Sequence, residues 1–200
     1  MYLKPIFAES IILFKNIDLD HKKTLQYLSN LEFKLHEKND QESKMSESVK
    51  ILDESEYGNI IKKTFDKYID QSIQIWGYKT NHQIINSWAS ETKPNCYSHL
   101  HRHQNFWLTT VYYPYSINNF AIEFESDRFD MADFDVPIAN YNTFNNRSFT
   151  QEVGSGDLII FSAKLKHKIH FNNTNEIRYS LATNILPKGT IGSRDSLLVL

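Results

Sequence analysis

Two hundred residues are enough for one domain with a sizeable core. A formal charge of −2, with no long basic run, gives no reason to expect nucleic acid or an anionic membrane as partner. The single cysteine, Cys96, excludes an internal disulfide framework, and no leader-like or bilayer-length apolar run is present, so the expectation is a cytoplasmic chain without membrane association.

The chain opens with an apolar extended stretch, Ile11 to Phe14. Asp18-Leu19-Asp20 offers a helix N-cap, and Leu25, Leu28, Leu31 and Leu35 recur at helical spacing. The polar run from His36 to Lys50 predicts a mobile loop. A second helix is predicted from Ser55 or Glu56, with Ile60, Ile61, Phe65, Tyr68 and Ile69 as its apolar stripe, and it ends at Gly77. Both stripes are expected to pack on a sheet.

After Gly77 the pattern becomes strand-like. His82 to Ser90 reads as a strand, followed by a turn at Lys93-Pro94-Asn95. The stretch from Tyr97 to Tyr113 comes next, rich in β-branched and aromatic residues in its second half. On an extended chain His99, His101 and His103 share one face, and neutral imidazole is the commonest protein metal ligand. His99 would lie ~6.6–7 Å from His101 along such a strand and reads as a neighbour of the ligands or as a merely exposed residue. Ile117 to Glu125 is a further predicted strand, and Ser126 to Thr150 a long irregular connection of the kind that carries function.

Gly154-Ser155-Gly156-Asp157 reads as a turn before the apolar strand Leu158 to Phe161; Lys168 to Phe171 and Ile177 to Leu186 are two more strands. The tail ends in Leu197-Leu198-Val199-Leu200, able to dock on the body or on a partner subunit. His21, His36, His82 and His170 read as surface or cap histidines; Trp88, Trp107 and Tyr112 read as core. Asp127-Arg128 is a solvated turn or a substrate contact. An isolated strand arginine such as Arg178 ordinarily bridges to an acid, here Glu176.

Two helices and then at least six short strands predict an antiparallel sandwich or barrel, with the helices against one side and ligands at the open mouth. The expected organisation is one structural domain: an N-terminal strand, helices and polar loop over 1–76, a β core over 77–187, and a tail over 188–200.

Several pieces now stand in a fixed order. They are Asn86-Ser87-Trp88-Ala89, Tyr97 through His101-Arg102-His103 to Val111-Tyr112-Tyr113, Ser126-Asp127-Arg128, Gly156-Asp157 with its apolar strand, Leu165-Lys166-His167, and Arg178-Tyr179-Ser180 through Asn184. In this order the sequence resembles the Fe(II)/2-oxoglutarate-dependent oxygenases, and within them a bacterial and phage group of hydroxylases whose His-x-His strand ends in Val-Tyr-Tyr. The resemblance covers roughly 57–186 and implies a mainly β, cupin-like double-stranded β-helix (jelly roll) with helices packed on one sheet. It implies a dioxygenase using Fe(II), 2-oxoglutarate and O2, hydroxylating a small molecule or peptide and releasing succinate and CO2.

Carried over residue by residue, the resemblance makes His101 the first metal ligand and His167 the distal one. Arg178 would clamp the C5 carboxylate of 2-oxoglutarate, Ser180 would donate a hydroxyl to it, and Tyr97 or Tyr113 would add a hydrogen bond. This sequence departs from the superfamily pattern at His103, where Asp or Glu is usual. Three neutral imidazoles leave the ion its full +2, as in the His₃ sites of catalytic zinc. The reading places His103 as the third ligand; water or Glu123 in that position is the alternative. Two rival functions stay open, a cupin-like His₃ metalloenzyme that does not use 2-oxoglutarate and a non-catalytic jelly-roll binding module. Substrate identity and oligomeric state are not readable.

Overall fold

The computed structural model describes residues 8–35, 42–115, 120–127 and 136–200. Strand β1 (Ile11–Phe14) leads into helix α1 (His21–Ser29), and β2 (Phe33–Leu35) and β3 (Lys44–Ser46) precede helix α2 (Glu56–Ile75). Then come β4 (Asn81–Thr92), β5 (Leu108–Tyr113), β6 (Ala121–Glu125), β7 (Ser148–Glu152), β8 (Asp157–Ser162), β9 (Lys166–Ile169) and β10 (Arg178–Lys188). A ribbon of β11 (Thr190–Ile191) and β12 (Leu198–Val199) ends the chain.

The helices start where capping chemistry allows. The Asp20 side chain accepts the Lys23 N–H, and the Ser55 hydroxyl accepts that of Gly58, each satisfying an N–H that has no partner within its helix. α1 ends at Ser29, so Leu31 lies beyond it and Leu35 sits on β2, against the helical spacing read from the leucines. In α2 the inward stripe is Ile61, Phe65, Ile69 and Ile73, whereas Ile60 is 46% exposed. No helix of the described residues is long and apolar enough to cross a membrane.

A seven-stranded antiparallel sheet has the order β1-β8-β5-β10-β4-β3-β2; a three-stranded one has the order β7-β6-β9. The two-residue period of a strand divides the large sheet's side chains. On one face Leu108, Tyr112, Leu158, Ile160, Leu181 and Ile185 pack with Leu28, Ile61, Phe65 and Ile69 of the helices. On the other, Val111, Tyr113, Ile159, Phe161 and Ala182 meet Ile122 and Phe124 of β6. The central strands are therefore buried on both faces, which explains why Leu158 to Phe161 is apolar without alternation.

Gly156 is needed at φ +81° in the turn before β8; a Cβ there would fall 2.4 Å from the His21 ring. Asp157 beside it accepts from Lys15 Nζ and the Gly154 N–H, both at 2.7 Å, so this glycine-aspartate turn is structural.

Three expectations change. The His-bearing segment is not a regular strand: before β5 it makes only isolated bridges, Tyr97 with Glu42 and His101 with His167, and Asn105 turns it at φ 67°. The polar loop contains β3, held between β2 and β4 through Met45 opposite Lys34 and Ser90. The irregular segment after Ser126 ends in β7, paired with β6. The remainder of that loop (36–41, with His36), the start of the predicted Ile117 strand (116–119) and residues 128–135, with Arg128, lie outside the described residues.

Candidate metal centre

His101, His103 and His167 each offer a ring nitrogen, and these nitrogens lie within 4.8 Å of one another, the one such group among the described residues. Two loop positions and one strand position supply them. The backbones of His101 and His167 exchange both hydrogen bonds (3.0 and 2.8 Å), and the His103 N–H reaches the Ala163 carbonyl at 2.9 Å. The His-x-His loop is thus stitched to β9 and to the connection before it, and this non-local pairing, not strand periodicity, brings the rings together.

The Nδ1 atom of each ring is engaged. That of His101 donates to the His99 carbonyl at 2.8 Å, and that of His167 to the Leu165 carbonyl at 3.0 Å. That of His103 lies 2.5 Å from Asn184 Oδ1 and 3.1 Å from Thr109 Oγ1. With protons on Nδ1, the lone pairs sit on Nε2, the ligating arrangement.

Burial, opposed by the Asn184 hydrogen bond, takes the His103 imidazolium down to about 4; burial followed by the repulsion of the other two rings takes His167 well below its ordinary range. Both are neutral near pH 7, the state a metal requires. Trp88, Phe124 and Phe161 wall the centre, with ring centroids 5.3 Å from His103 and 6.2 and 4.8 Å from His167 respectively.

Arg178 begins β10 on the inner face and is 5% exposed. Its Nη1 is 3.5 Å from the His170 carbonyl and its guanidinium stacks 4.2 Å over the Phe120 ring. It forms no ion pair with an acid among the described residues, so the ordinary alternative of a Glu176 bridge is not made, and Nε and Nη2 are buried without partners. The Tyr113 hydroxyl is likewise buried and without a partner, and its ring packs on the same Phe120 at 5.3 Å. Burial pushes the Tyr113 phenol up and the Arg178 guanidinium down, each countered in part by the other. Buried donors left open cost free energy, and a carboxylate fits them: two guanidinium nitrogens and a phenol are the donor set for a planar anion.

Ser180, two residues along β10 and so on the same face, is half-buried opposite Ser90. Tyr97 sets its ring edge-on to His99 at 5.3 Å. His99 turns its Nε2 to the buried Glu42 carboxylate, and the three-ring group does not include it.

Glu123 cannot serve as an alternative ligand where it stands: it points away from Ile122 and Phe124 and bonds Lys168 (3.3 Å) and His170 (2.6 Å). His82, expected at the surface, has a side chain only 5% exposed between Asp66 (2.9 Å) and Asp70 (3.0 Å) of α2. Asp127 pairs with Lys166 at 2.5 Å and approaches Arg102 at 3.8 Å. Sequence reading missed Asn184, Thr109 and Phe120. The even spacing of Arg178, Ser180, Ala182 and Asn184 was the available signal for the first; nothing local marks the other two.

Residues 86–184 match the model of the family described as "Putative 2OG-Fe(II) oxygenase". No curated protein sequence matches the chain. Among solved structures, HygX from Streptomyces hygroscopicus with nickel and 2-oxoglutarate bound superposes with TM-score 0.66 at 10% identity, covering 90% of this chain and 83% of that one. A 2OG-Fe(II) oxygenase family oxidoreductase from Burkholderia pseudomallei gives 0.62 at 8% identity, over 88% and 84%. A prolyl hydroxylase from Trichoplax adhaerens, in complex with a hypoxia inducible factor peptide, gives 0.59 at 13% identity, over 88% and 83%. Likeness at such identities fixes the fold, a double-stranded β-helix. With the family match running from β4 to β10 across the three-histidine centre, this chain belongs to the 2OG-Fe(II) oxygenases, non-haem iron enzymes that depend on 2-oxoglutarate.

Proposed function

We propose that the protein is a dioxygenase that hydroxylates a small molecule or peptide, with His101, His103 and His167 holding Fe(II) and Arg178 anchoring 2-oxoglutarate. The observation that carries this is the pairing of a three-imidazole cluster with a buried guanidinium that has two nitrogens without partners. Bound together, iron and 2-oxoglutarate supply O2 activation and oxidative decarboxylation, with succinate and CO2 as products.

The chain's residues supply the rest. Three neutral rings hold the ion without lowering its charge, which favours a dianionic cosubstrate. Arg178 offers its forked donors, with Tyr113 and Ser180 placed to add hydroxyls, to the far carboxylate. Phe120 beneath the guanidinium and Trp88 beside His103 keep water out. A cleft of about 470 Å³ lined by Trp76, Tyr78, Trp107, Arg102, Asp127 and Lys164 adjoins the loop carrying His101 and His103, a volume suited to a small molecule or a short peptide segment.

Anaerobic titration with Fe(II) and 2-oxoglutarate tests the reading. A weak visible charge-transfer band that saturates with both is the expected result, and its absence at saturating ligand overturns the proposal.

A further inference from the structure

Two of the three rings are oriented locally: His101 and His167 each donate Nδ1–H to a carbonyl two residues earlier. His103 is different. Its Nδ1 meets side chains from two strands, Asn184 Oδ1 of β10 at 2.5 Å and Thr109 Oγ1 of β5 at 3.1 Å. Thr109 spends its own hydroxyl proton on the Thr183 carbonyl at 2.8 Å, so towards the ring it can only accept. Asn184, 6% exposed, presents its amide oxygen, and Thr109 is fully buried. The ring therefore faces two acceptors at Nδ1. If Nδ1 were the bare nitrogen, it would oppose two oxygen lone-pair sets and leave Nε2 protonated and unable to ligate.

We propose that Asn184, supported by Thr109, is a positioning residue that holds His103 in the Nδ1–H tautomer and so lets an imidazole act as metal ligand where a carboxylate is usual. A carboxylate ligand has no tautomer to choose; replacing it with a ring creates that need, and the inner face of β10 answers it. This inference rests on the reading of the three histidines as metal ligands.

The first test needs no metal. In the chain labelled with ¹⁵N at histidine, long-range ¹H–¹⁵N NMR at pH 7.5 reads the His103 tautomer directly. Nδ1–H is expected, and Nε2–H in the unsubstituted protein overturns the proposal whether or not any variant folds. The second test measures Co(II) affinity with no cosubstrate present. Asn184→Leu, of similar volume but without an acceptor, is expected to bind Co(II) about 10–100-fold more weakly and to shift the His103 ring towards Nε2–H. Asn184→Asp, which keeps an oxygen at that place, is expected to retain the tautomer and recover the affinity. Asn184→Leu with unchanged tautomer and affinity, while His103→Gln binds weakly, overturns the role of Asn184 alone. Unchanged Co(II) affinity in His103→Gln overturns the three-histidine reading beneath it.

Discussion

At the scale of single residues, Arg178 is the most exposed to test. Its partnerless nitrogens sit in a buried site where a charge-assisted fork is worth about 3 kcal/mol, so Arg178→Ala is expected to weaken 2-oxoglutarate binding roughly 100-fold in a direct titration. Arg178→Lys keeps the charge but not the fork and is expected to fall between the two. His103 gives a pH signature in the metal-free protein. Its folded value of about 4 lies below the ordinary 6.5, so the unfolded chain takes up the proton first. The stabilisation is complete above about pH 6.5 and drains as pH falls towards 4. Urea midpoints of the metal-free protein should therefore drop across that window, and His103→Phe should flatten the drop.

At the scale of elements, α2 carries a close approach at its third residue. A Cβ on Gly58 would meet the Ile51 carbonyl at 2.6 Å and Leu52 backbone at 2.9 Å, with no flexible side chain to yield. Gly58→Ala, ordinarily favourable in a helix, is here expected to cost about 1–3 kcal/mol in urea denaturation. The elements also show what the sequence discloses and what it hides. The β-branched and aromatic run of β5, the continuous apolar run of β8, the strand pattern of β10 and the Ser55 cap are local signals, and they were legible because the chemistry that makes them lies within a few residues. β3 was not, since Lys44–Ser46 becomes a strand only through partners on β2 and β4. The His-x-His stretch looked like a strand because its composition runs on into β5. Its geometry comes instead from a bridge to His167, 66 residues away in sequence. For the same reason the candidate ligands were readable as residue types in order, whereas Asn184 and Phe120 were visible only once strands were side by side.

At the scale of the whole molecule, the three histidines join the loop after β4 to β9, so an ion held there ties together segments from the middle and the late part of the chain. A ligand that binds only the folded state stabilises it by mass action, about 2.7 kcal/mol at 100 times its dissociation constant. Thermal unfolding should accordingly move up with added Fe(II) under argon and move back with a chelator. A Tm indifferent to both would show that the rings do not grip an ion in common. One strand, meanwhile, ties chemistry to register. β10 presents Arg178 near one end of its inner face and Asn184 six residues on, with β4 and β5 hydrogen-bonded on either side; its only offset against β4 falls just after Asn184. Because neighbouring side chains point oppositely, sliding β10 by one position would swing the anion clamp and the imidazole's acceptor under the helices in a single stroke. The protein thus has no half-working form along that coordinate, whereas inserting one residue between 178 and 184 puts the clamp and the acceptor on opposite faces and should silence the protein at least as completely as losing either group.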